Sequence, residues 1–268
     1  MKNKIKFIAL DLDGTLLSSS KEIDEETIDY LKLLKRNGYK LILASGRHYY
    51  EIESYSQILH LDEKDIVIAC DGERVFQGNG IPIYISKFLT NLDILRILPI
   101  ISRDVLIVTD NNDYFVIKSI LKRTLAKIIK VIKKRSNLFY LNFEKIKLLN
   151  IPIEKIVTSI DDVTVVEKLS YDYSCHIIDG RRLEIKPKGV NKYTAMLELQ
   201  KRGIINLDNL LFFGNDYNDE ECFRYLPYSV AMKETPSELK SLVFYVTDSN
   251  NSQGILKALK QLLQHNIF

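Results

Sequence analysis

The 268-residue sequence predicts a doubly wound α/β fold, with a Rossmann-like parallel sheet, that carries an inserted α+β domain. Three observations support this fold class. Short apolar runs alternate with amphipathic helical patterns near both ends of the chain, which favours right-handed βαβ units around a parallel sheet. Two of these runs end in acidic turns, at the strand ends where such sheets bind ligands. The middle segment 86–185 breaks the alternation and has no acidic turn after a strand.

The first third of the chain predicts three parallel strands, two helices and a hairpin. The helical segments space their apolar residues about one turn apart, and the connections between elements are short. In chain order the elements are strand Ile5–Leu10, helix Glu22–Arg36, strand Lys40–Leu43, helix His48–Leu59 and strand Asp65–Ala69. Gly78-Asn79-Gly80 lies between Val75-Phe76 and Ile81–Ile85, a pattern typical of a β-hairpin.

The remaining elements set the predicted domain boundaries. Within the insert, strands are expected at Val105–Thr109, Tyr114–Ile117, Lys155–Ser159 and His176–Asp179. The doubly wound pattern then resumes with helix Val190–Lys201, strands Leu210–Phe213, Ser229–Met232 and Phe244–Thr247, and helix Gly254–Leu263. We therefore assign residues 1–85 and 186–268 to the core and residues 86–185 to the inserted domain.

Composition narrows the class of protein. The chain is 46% hydrophobic and 27% charged, as in an ordinary globular protein. Its net charge of +3 is too small to indicate a nucleic-acid partner by itself. The three cysteines, Cys70, Cys175 and Cys222, show no CxxC spacing, which argues against a disulfide framework or a zinc site. No apolar run has the length of a signal peptide or a membrane span. A cytoplasmic protein without a membrane or nucleic-acid partner is expected.

The segment Ile117–Ser136 carries eight Lys or Arg residues and no acidic residue. Its apolar residues lie at roughly helical spacing, so it could contact an anionic membrane or a nucleic-acid backbone. The commoner interpretation is the solvated face of a helix in the insert. A weaker variant is that this face attracts phosphorylated substrates by long-range steering.

The turn Asp11-Leu12-Asp13-Gly14-Thr15 holds the first candidate site residues. Asp11 and Asp13 lie two positions apart after an apolar strand, so their carboxylates can converge on one cation, and oxygen ligands suit Mg²⁺. One carboxylate can then act as a nucleophile and the other as an acid or base. The alternative is an acidic turn that happens to contain a glycine.

Ser45, Gly46 and Lys192 are candidate phosphate ligands. The Ser45 hydroxyl can donate to an anionic oxygen, and Gly46 permits a close approach by its backbone N–H. Ser45 can also cap the following helix, and such an N-terminus is itself an anion site. Lys192 near a helix start opposes the helix dipole unless an anion is close. A solvent-facing lysine is the alternative, and Lys188 is the rival candidate.

A second acidic turn, Gly214–Asp219, follows the predicted strand that ends at Phe213. It offers oxygen ligands for a small divalent cation. The candidate ligands are Asn215, Asp216, Asn218 and Asp219. A polar Asx turn with a helix cap is the alternative, and it would be preferred if this segment stood alone.

Together these segments resemble the four motifs of the haloacid dehalogenase (HAD) phosphohydrolase superfamily. Asp11-x-Asp13-Gly14-Thr15 is similar to the nucleophile loop, and Ser45-Gly46-Arg47 to the Thr/Ser motif in its TGR form. Lys192, in Gly189-Val190-Asn191-Lys192, resembles the lysine of the third motif. Gly214-Asn215-x-x-Asn218-Asp219 resembles the GDxxND metal loop.

The end of the chain narrows this resemblance. Ser229–Met232, Tyr245–Asn250 and Gly254-Ile255 are similar to the end of Cof-type members with a type IIB cap. The insert resembles that cap in size, position and α+β character, which implies a lid that reads the substrate's leaving group.

The resemblance implies hydrolysis of small phosphomonoesters, such as sugar phosphates or phosphorylated cofactors, with Mg²⁺ as cofactor. Asp11 would attack phosphorus and form an aspartyl-phosphate. Asp13 would protonate the leaving alkoxide and then activate water. Ser45, Gly46 and Lys192 would hold the oxygens of the transferring group.

The implied Mg²⁺ site departs from the family pattern. Its ligands would be the Asp11 carboxylate, the Asp13 backbone carbonyl and Asn215, which stands where the family usually has an aspartate. The site thereby loses a formal charge, so either Asp216 compensates as a further ligand or Mg²⁺ binds more weakly. Asp219 would be an additional ligand, or would orient the lysine of the third motif or metal-bound water.

Two other functions remain open. Phosphotransfer to another sugar hydroxyl, as in phosphomannomutase, would need a second phosphate site rich in arginine, for which Arg181-Arg182 is the local hint. A core that binds Mg²⁺ and ligand with little turnover stays open because of Asn215. Cys70-Asp71-Gly72 also departs from the Asn-Gly that many relatives carry at this point. The sequence gives no indication of the oligomeric state.

Overall fold

The chain divides into two units, each built around its own sheet. The computed structural model describes residues 5–109, 113–116, 138–141, 145, 151–160, 162–178 and 180–264. The larger unit comprises Met1–Ser86 with Asn191–Phe268, and the smaller one Lys87–Val190. The basic segment Ile117–Ser136 lies outside the described residues. None of the described helices has the length and apolar character that crossing a membrane requires.

Over the described residues, fourteen strands form two sheets. In chain order the strands are β1 Phe7–Leu10, β2 Lys40–Ala44, β3 Ile66–Ala69, β4 Arg74–Gln77, β5 Pro82–Ile85, β6 Val105–Val108, β7 Asp113–Val116, β8 Leu138–Leu141, β9 Lys155–Ser159, β10 Tyr173–Ile178, β11 Arg182–Pro187, β12 Leu210–Gly214, β13 Tyr228–Ala231 and β14 Tyr245–Val246. The larger unit holds the order β14-β13-β12-β1-β2-β3-β4-β5, and the smaller one β10-β11-β9-β6-β7-β8.

The described α-helices flank these sheets. They are α1 Glu25–Arg36, α2 Tyr49–Ile58, α3 Asn91–Ile97, α4 Thr164–Ser170, α5 Lys192–Lys201, α6 Glu220–Tyr225, α7 Ser237–Lys240 and α8 Gly254–Gln264. The predicted fold class, a doubly wound core with an inserted α+β domain, is confirmed.

Strands β1 and β3 are apolar throughout because the parallel part of the sheet is covered on both faces. In β1, Ile8 and Leu10 pack into one buried cluster with helix residues such as Leu31 and Leu259. Phe7 and Ala9 point to the opposite face and pack against a second cluster that includes Met196. The sheet thus has the two covered faces that the alternation of strands and helices predicted.

Helices α1, α2 and α5 begin later than predicted, and in α1 and α5 a side-chain cap sets the first helical residue. Helix α1 begins at Glu25 because the Asp24 carboxylate accepts from the Thr27 N–H at 3.1 Å, which makes Asp24 the N-cap. In the same way, Asn191 caps α5 by accepting from the Thr194 N–H at 2.9 Å. Lys192 is therefore the first residue of α5, and its side chain is fully buried.

The smaller unit is an α+β structure. The predicted pair β6–β7 is antiparallel, and the core includes Ile94 of α3, Ile107 of β6 and Leu169 of α4. Strand β11 was not predicted, although Leu183 and Ile185 alternate with charged residues and enter this core. The predicted boundary at 185/186 falls within β11.

Candidate active site

The carboxyl ends of three adjacent parallel strands bring the predicted motifs to one edge of the core sheet. Strand β1 pairs in parallel with β12 on one side and with β2 on the other. Asp11 directly follows β1, and its backbone N–H donates to the Phe213 carbonyl at 3.0 Å. Ser45 follows β2, and Asn215 follows β12. This edge is where ligands bind in open α/β sheets.

Lys192 forms the centre of the buried charge cluster. Its ammonium Nζ lies 2.7 Å from Asp11 Oδ1 and 2.7 Å from Asp219 Oδ1, and all three side chains are almost completely buried. Burial lowers the pKa of Lys192, but the two carboxylates outweigh that effect, so its pKa is raised and the ammonium stays charged. Because two carboxylates share one ammonium, the cluster carries an excess of negative charge.

The pKa of Asp11 reflects this excess of negative charge. Burial, together with the nearby Asp219 carboxylate, raises the pKa of Asp11 to about 7, against the opposing effect of Lys192. A further positive charge close to Asp11 would therefore stabilise its ionised form.

Asp219 joins the lysine to the second acidic turn. Its Oδ2 accepts from the backbone N–H groups of Asn215 at 2.8 Å and Asp216 at 3.3 Å. A Cβ at Gly214 would lie 2.6 Å from the same oxygen, so only glycine permits this approach. Both oxygens of Asp219 are thus used in orienting the turn and Lys192.

Asn215 faces two oxygens of the first acidic turn. One atom of its amide lies 3.1 Å from Asp11 Oδ2 and 3.0 Å from the Asp13 carbonyl oxygen. In one orientation the amide nitrogen donates to both oxygens and to the Thr15 hydroxyl. In the other, the amide oxygen accepts from that hydroxyl at 3.1 Å and lies beside the two acceptors. Gly14, with φ of +79°, permits this contact, because a Cβ there would lie 2.3 Å from Asn215 Nδ2.

The second orientation of Asn215 fits a divalent cation. Neighbouring ligands in an octahedral Mg²⁺ site lie about 3 Å apart, because each Mg–O bond is about 2.1 Å. The distances from Asn215 to Asp11 and Asp13 match that spacing. Carboxylate, carbonyl and amide oxygens are also the ligand types that Mg²⁺ prefers. The donor set and the excess negative charge therefore both suit Mg²⁺.

The carboxylate of Asp13 points to a different set of partners. Arg47 donates from Nε to Oδ2 and from Nη2 to Oδ1, each at 2.7 Å, and Lys21 Nζ donates to Oδ1 at 2.7 Å. The hydrogen bond from Arg47 is the main cause that lowers the pKa of Asp13 to about 2, and Lys21 adds to it. Asp13 is therefore ionised and tightly held in this arrangement.

Ser45 and Gly46 lie beside a residue that no motif assigned. The Ser45 hydroxyl oxygen accepts from the Arg47 N–H at 3.2 Å, and the Ser45 carbonyl accepts from the Asp71 N–H at 2.9 Å. The Asp71 carboxylate accepts from Asn218 Nδ2 at 3.1 Å and lies so close to Gly46 that a Cβ there would be 3.0 Å from it. Asp71 thus links the Ser45 loop to the second acidic turn.

The structure separates residues that the sequence left as alternatives. The Asp216 side chain is exposed and accepts from the Tyr217 N–H at 2.8 Å, as a turn-capping residue does. Lys188 lies in the smaller unit and donates to the carbonyls of Ser170 and Tyr171 at the end of α4. Lys192, by contrast, contacts the predicted nucleophile directly.

Sequence reasoning gave no role to Lys21, Arg47 or Asp71. Arg47 belongs to the Ser45-Gly46-Arg47 motif, so its position beside Ser45 was a usable signal. No sequence signal marked Lys21 or Asp71, because their positions depend on backbone turns with positive φ, at 65° and 54° respectively.

The chain is similar to known proteins over nearly its whole length. The sequence profile of the haloacid dehalogenase-like hydrolase family matches residues 8–259. The chain is similar to the 5-amino-6-(5-phospho-D-ribitylamino)uracil phosphatase YbjI of Escherichia coli, with 26% identity over 97% of both chains. The Bacillus subtilis phosphatase of the same description, YitU, is 24% identical over 97% of this chain and 98% of its own length.

A solved structure shows the same fold. The haloacid dehalogenase-like hydrolase from Bacteroides thetaiotaomicron superposes with a TM-score of 0.74 and 21% identity, over 97% of this chain and 100% of that one. Because the family profile spans nearly the whole chain, the protein belongs to the haloacid dehalogenase-like hydrolase family.

Proposed function

We propose that the protein is a Mg²⁺-dependent phosphatase that hydrolyses small phosphomonoesters through an aspartyl-phosphate on Asp11. The observation that carries this proposal is the buried cluster in which Lys192 pairs with Asp11 while Asn215 approaches the other Asp11 oxygen. Its similarity to proteins described as phosphatases supports the same activity.

The first half of the reaction transfers the phosphoryl group to Asp11. A carboxylate oxygen of Asp11 forms a bond to phosphorus as the bond between phosphorus and the leaving oxygen breaks. For this step Asp13 leaves Arg47 and Lys21 and takes up a proton from solvent as the substrate binds. It then gives that proton to the leaving oxygen, so that an alcohol departs. Lys192, the Ser45 hydroxyl and the Gly46 N–H hold the phosphoryl oxygens, because such donors stabilise the charge that spreads over them.

The second half restores Asp11. Asp13, now ionised, accepts a proton from water as the water oxygen bonds to phosphorus, and the acyl-phosphate bond breaks to release inorganic phosphate. Lys192 keeps its contact with Asp219, which orients the ammonium for both halves.

The cation site is proposed at the Asp11 carboxylate, the Asp13 carbonyl and Asn215. When bound there, Mg²⁺ offsets the repulsion between the Asp11 carboxylate and a phosphate dianion. Asp219 is then a positioning residue rather than a ligand, because both of its oxygens accept hydrogen bonds from Lys192 or the turn.

The smaller unit, Lys87–Val190, is proposed as a Cof-type, type IIB cap that reads the leaving group. Sugar phosphates and phosphorylated cofactors are the substrate classes to examine first. The compound in the descriptions of YbjI and YitU, 5-amino-6-(5-phospho-D-ribitylamino)uracil, belongs among the candidates.

The test is phosphate release from a panel of substrates with and without Mg²⁺. The panel includes p-nitrophenyl phosphate, hexose and pentose phosphates, phosphorylated cofactors and the ribitylamino-uracil phosphate. We expect turnover that saturates with Mg²⁺ and stops with EDTA. Turnover that does not depend on a divalent cation, or release of no phosphate from any member, would overturn the proposal.

A further inference from the structure

The turn after β3 has an unusual backbone. Its three residues, Cys70, Asp71 and Gly72, have φ of +52°, +54° and +105° in succession. Glycine adopts such values freely, but Cys70 and Asp71 adopt them at a cost, because their Cβ atoms crowd the backbone. Strain of this kind persists where neighbouring contacts hold it, and it clusters at functional sites. We call Cys70–Gly72 the left-handed turn, and its contacts indicate its role.

The left-handed turn holds the loop after β2 through backbone hydrogen bonds. The Asp71 N–H donates to the Ser45 carbonyl at 2.9 Å, and the Cys70 N–H donates to the Arg47 carbonyl at 2.9 Å. The Ser45 N–H donates to the Ile68 carbonyl of β3, also at 2.9 Å. Both backbone polar groups of Ser45 therefore point towards β3 and the turn that follows it.

This arrangement sets the direction of the Gly46 N–H. In a trans peptide, the carbonyl of one residue and the N–H of the next point in opposite directions. Strand β2 lies between β3 and β1 in the sheet. Because the Ser45 carbonyl points to the β3 side, the Gly46 N–H points to the β1 side, where Asp11 follows the strand. This N–H is one of the donors proposed for the phosphoryl oxygens.

The left-handed turn also contacts the other two motifs. Asp71 Oδ1 accepts from Asn218 Nδ2 of the second acidic turn at 3.1 Å. A Cβ at Gly72 would lie 2.3 Å from the carbonyl oxygen of Asn191, which caps α5 directly before Lys192. One strained turn therefore packs against the phosphate loop, the start of the lysine helix and the second acidic turn.

We propose that Asp71 is a positioning residue, whose left-handed backbone aims the Gly46 N–H at the transferring phosphoryl group. The Asp71 N–H meets the Ser45 carbonyl only while the turn keeps this conformation, and aspartate is one of the few residues besides glycine that adopt it routinely. The inference rests on the proposed phosphatase function and adds the element that orients one of its donors.

The test varies the backbone preference of position 71 and measures the affinity for inorganic phosphate. Asparagine and glycine adopt left-handed conformations readily, alanine does so at a cost, and valine is an outlier there. The variants are therefore Asp71→Asn, Asp71→Gly, Asp71→Ala and Asp71→Val. Isothermal titration with inorganic phosphate, in the presence of Mg²⁺, reports binding without turnover.

The matched controls are His60→Ala and His60→Val. His60 is exposed and has φ of +51°, and its N–H donates to the Gln57 carbonyl at 3.1 Å. These variants introduce the same backbone strain outside the candidate site.

We expect the phosphate Kd to rise about tenfold or more in Asp71→Val, the usual effect of losing a hydrogen bond to a charged group. Asp71→Ala should show a smaller rise. Asp71→Asn and Asp71→Gly should bind phosphate at least as tightly as the wild type, because both keep the turn and remove a carboxylate near the anion. The two His60 variants should match the wild type.

Two results in this series would overturn the inference. The first is an equal loss of affinity in Asp71→Gly and Asp71→Val, which would assign the effect to the side chain rather than the backbone. The second is wild-type affinity in Asp71→Ala and Asp71→Val. If Asp71→Val does not fold, the comparison of Asp71→Ala with Asp71→Gly decides in the same way.

A structural readout separates this inference from the proposed function. In a crystal structure of Asp71→Ala, we expect the peptide between Ser45 and Gly46 to rotate as the Ser45 carbonyl loses its donor. An unchanged peptide, or a wild-type protein that binds no phosphate, would overturn the positioning role. Failure of the proposed function would instead appear as a wild-type protein that binds phosphate but releases none from any substrate.

Discussion

Lys192 Nζ lies 2.7 Å from Asp11 Oδ1, although 181 positions separate the two residues. Asp11 directly follows the first strand of the core, and Lys192 begins the first helix after the inserted unit. The contact therefore joins the two segments of the core at the predicted site. Because these side chains are buried, loss of Lys192 would leave two buried carboxylates, Asp11 and Asp219, without their counter-ion, which is costly in a protein interior.

Replacement of Asp11 by asparagine should abolish turnover. Asparagine keeps the shape of the side chain but cannot form the proposed aspartyl-phosphate. Phosphate release should fall by at least about 10³-fold, while the circular dichroism spectrum stays that of the wild type. Mass spectrometry of acid-quenched enzyme should find a phosphoryl adduct on the wild-type Asp11 peptide only. Substantial activity in Asp11→Asn would show that another residue is the nucleophile.

Lys192→Ala and Lys188→Ala should differ strongly. Lys192 contacts both buried carboxylates, whereas Lys188 donates to carbonyls at the end of α4 in the smaller unit. We expect Lys192→Ala to lose about 10²-fold or more in kcat, the usual range for a group that stabilises transition-state charge. Lys188→Ala should stay within a few-fold of the wild type. The reverse order in steady-state kinetics would assign the third motif to Lys188.

The core fold was predictable because its signals are local. Four- and five-residue apolar strands, helical spacing and glycine-containing turns recur in an order that few topologies satisfy. The helix starts at Glu25 and Lys192 were harder, since apolar periodicity does not distinguish a cap from the first helical residue. Strand β11 was missed although its apolar residues alternate regularly with charged ones.

The candidate site was predictable only in part. Asp11, Lys192 and Asn215 lie in motifs whose order and spacing are specific, and the parallel register of β1 and β12 brings two of them together. The side-chain contacts that hold Asp13 were not predictable. They require Lys21 in a left-handed backbone conformation and Tyr55 of α2 bonded to the Lys21 carbonyl, and neither feature leaves a pattern in the sequence.

Asp11 also makes stability depend on pH in metal-free buffer. Its pKa is raised to about 7, against about 3.9 in an unfolded chain. Between these values the folded protein retains a proton that the unfolded chain has lost, so stability falls as pH rises through this window. Asp11→Asn has no such proton. With EDTA present, the Tm of this variant minus that of the wild type should rise by several degrees from pH 5 to pH 8.

A matched control for this measurement is Asp248→Asn. Its hydrogen bond with Lys257 lowers the pKa of the exposed Asp248 carboxyl, so Asp248 does not titrate between pH 5 and pH 8. The Tm difference of this variant should stay constant over that range. A constant difference for Asp11→Asn as well would mean that Asp11 is ionised throughout.

Gly14→Ala should weaken Mg²⁺ binding, and Gly38→Ala should not. Both glycines have positive φ, +79° and +91°, so both substitutions cost about 1 kcal/mol of backbone strain. A Cβ at Gly14 would also lie 2.3 Å from Asn215 Nδ2, whereas a Cβ at Gly38 meets nothing within 4 Å. The half-saturating Mg²⁺ concentration in a phosphatase assay should rise about tenfold for Gly14→Ala alone. Equal effects of the two variants would mean that Asn215 is not a ligand of the metal site.

Asn215→Asp should tighten Mg²⁺ binding. A carboxylate at this position returns the formal charge that asparagine lacks, and it retains an oxygen beside Asp11 and Asp13. The half-saturating Mg²⁺ concentration should fall about fivefold, since one added ligand charge is worth on the order of 1 kcal/mol in a partly exposed site. Asn215→Ala should raise it by a similar factor.

Asp216→Asn provides the comparison that decides between the two possible ligands. The Asp216 side chain is exposed and caps the turn through the Tyr217 N–H, so this variant should leave the Mg²⁺ dependence unchanged. Isothermal titration with Mg²⁺ alone checks both variants without turnover. If Asp216→Asn weakened binding while Asn215→Asp left it unaltered, Asp216 would be the ligand that compensates for the missing aspartate.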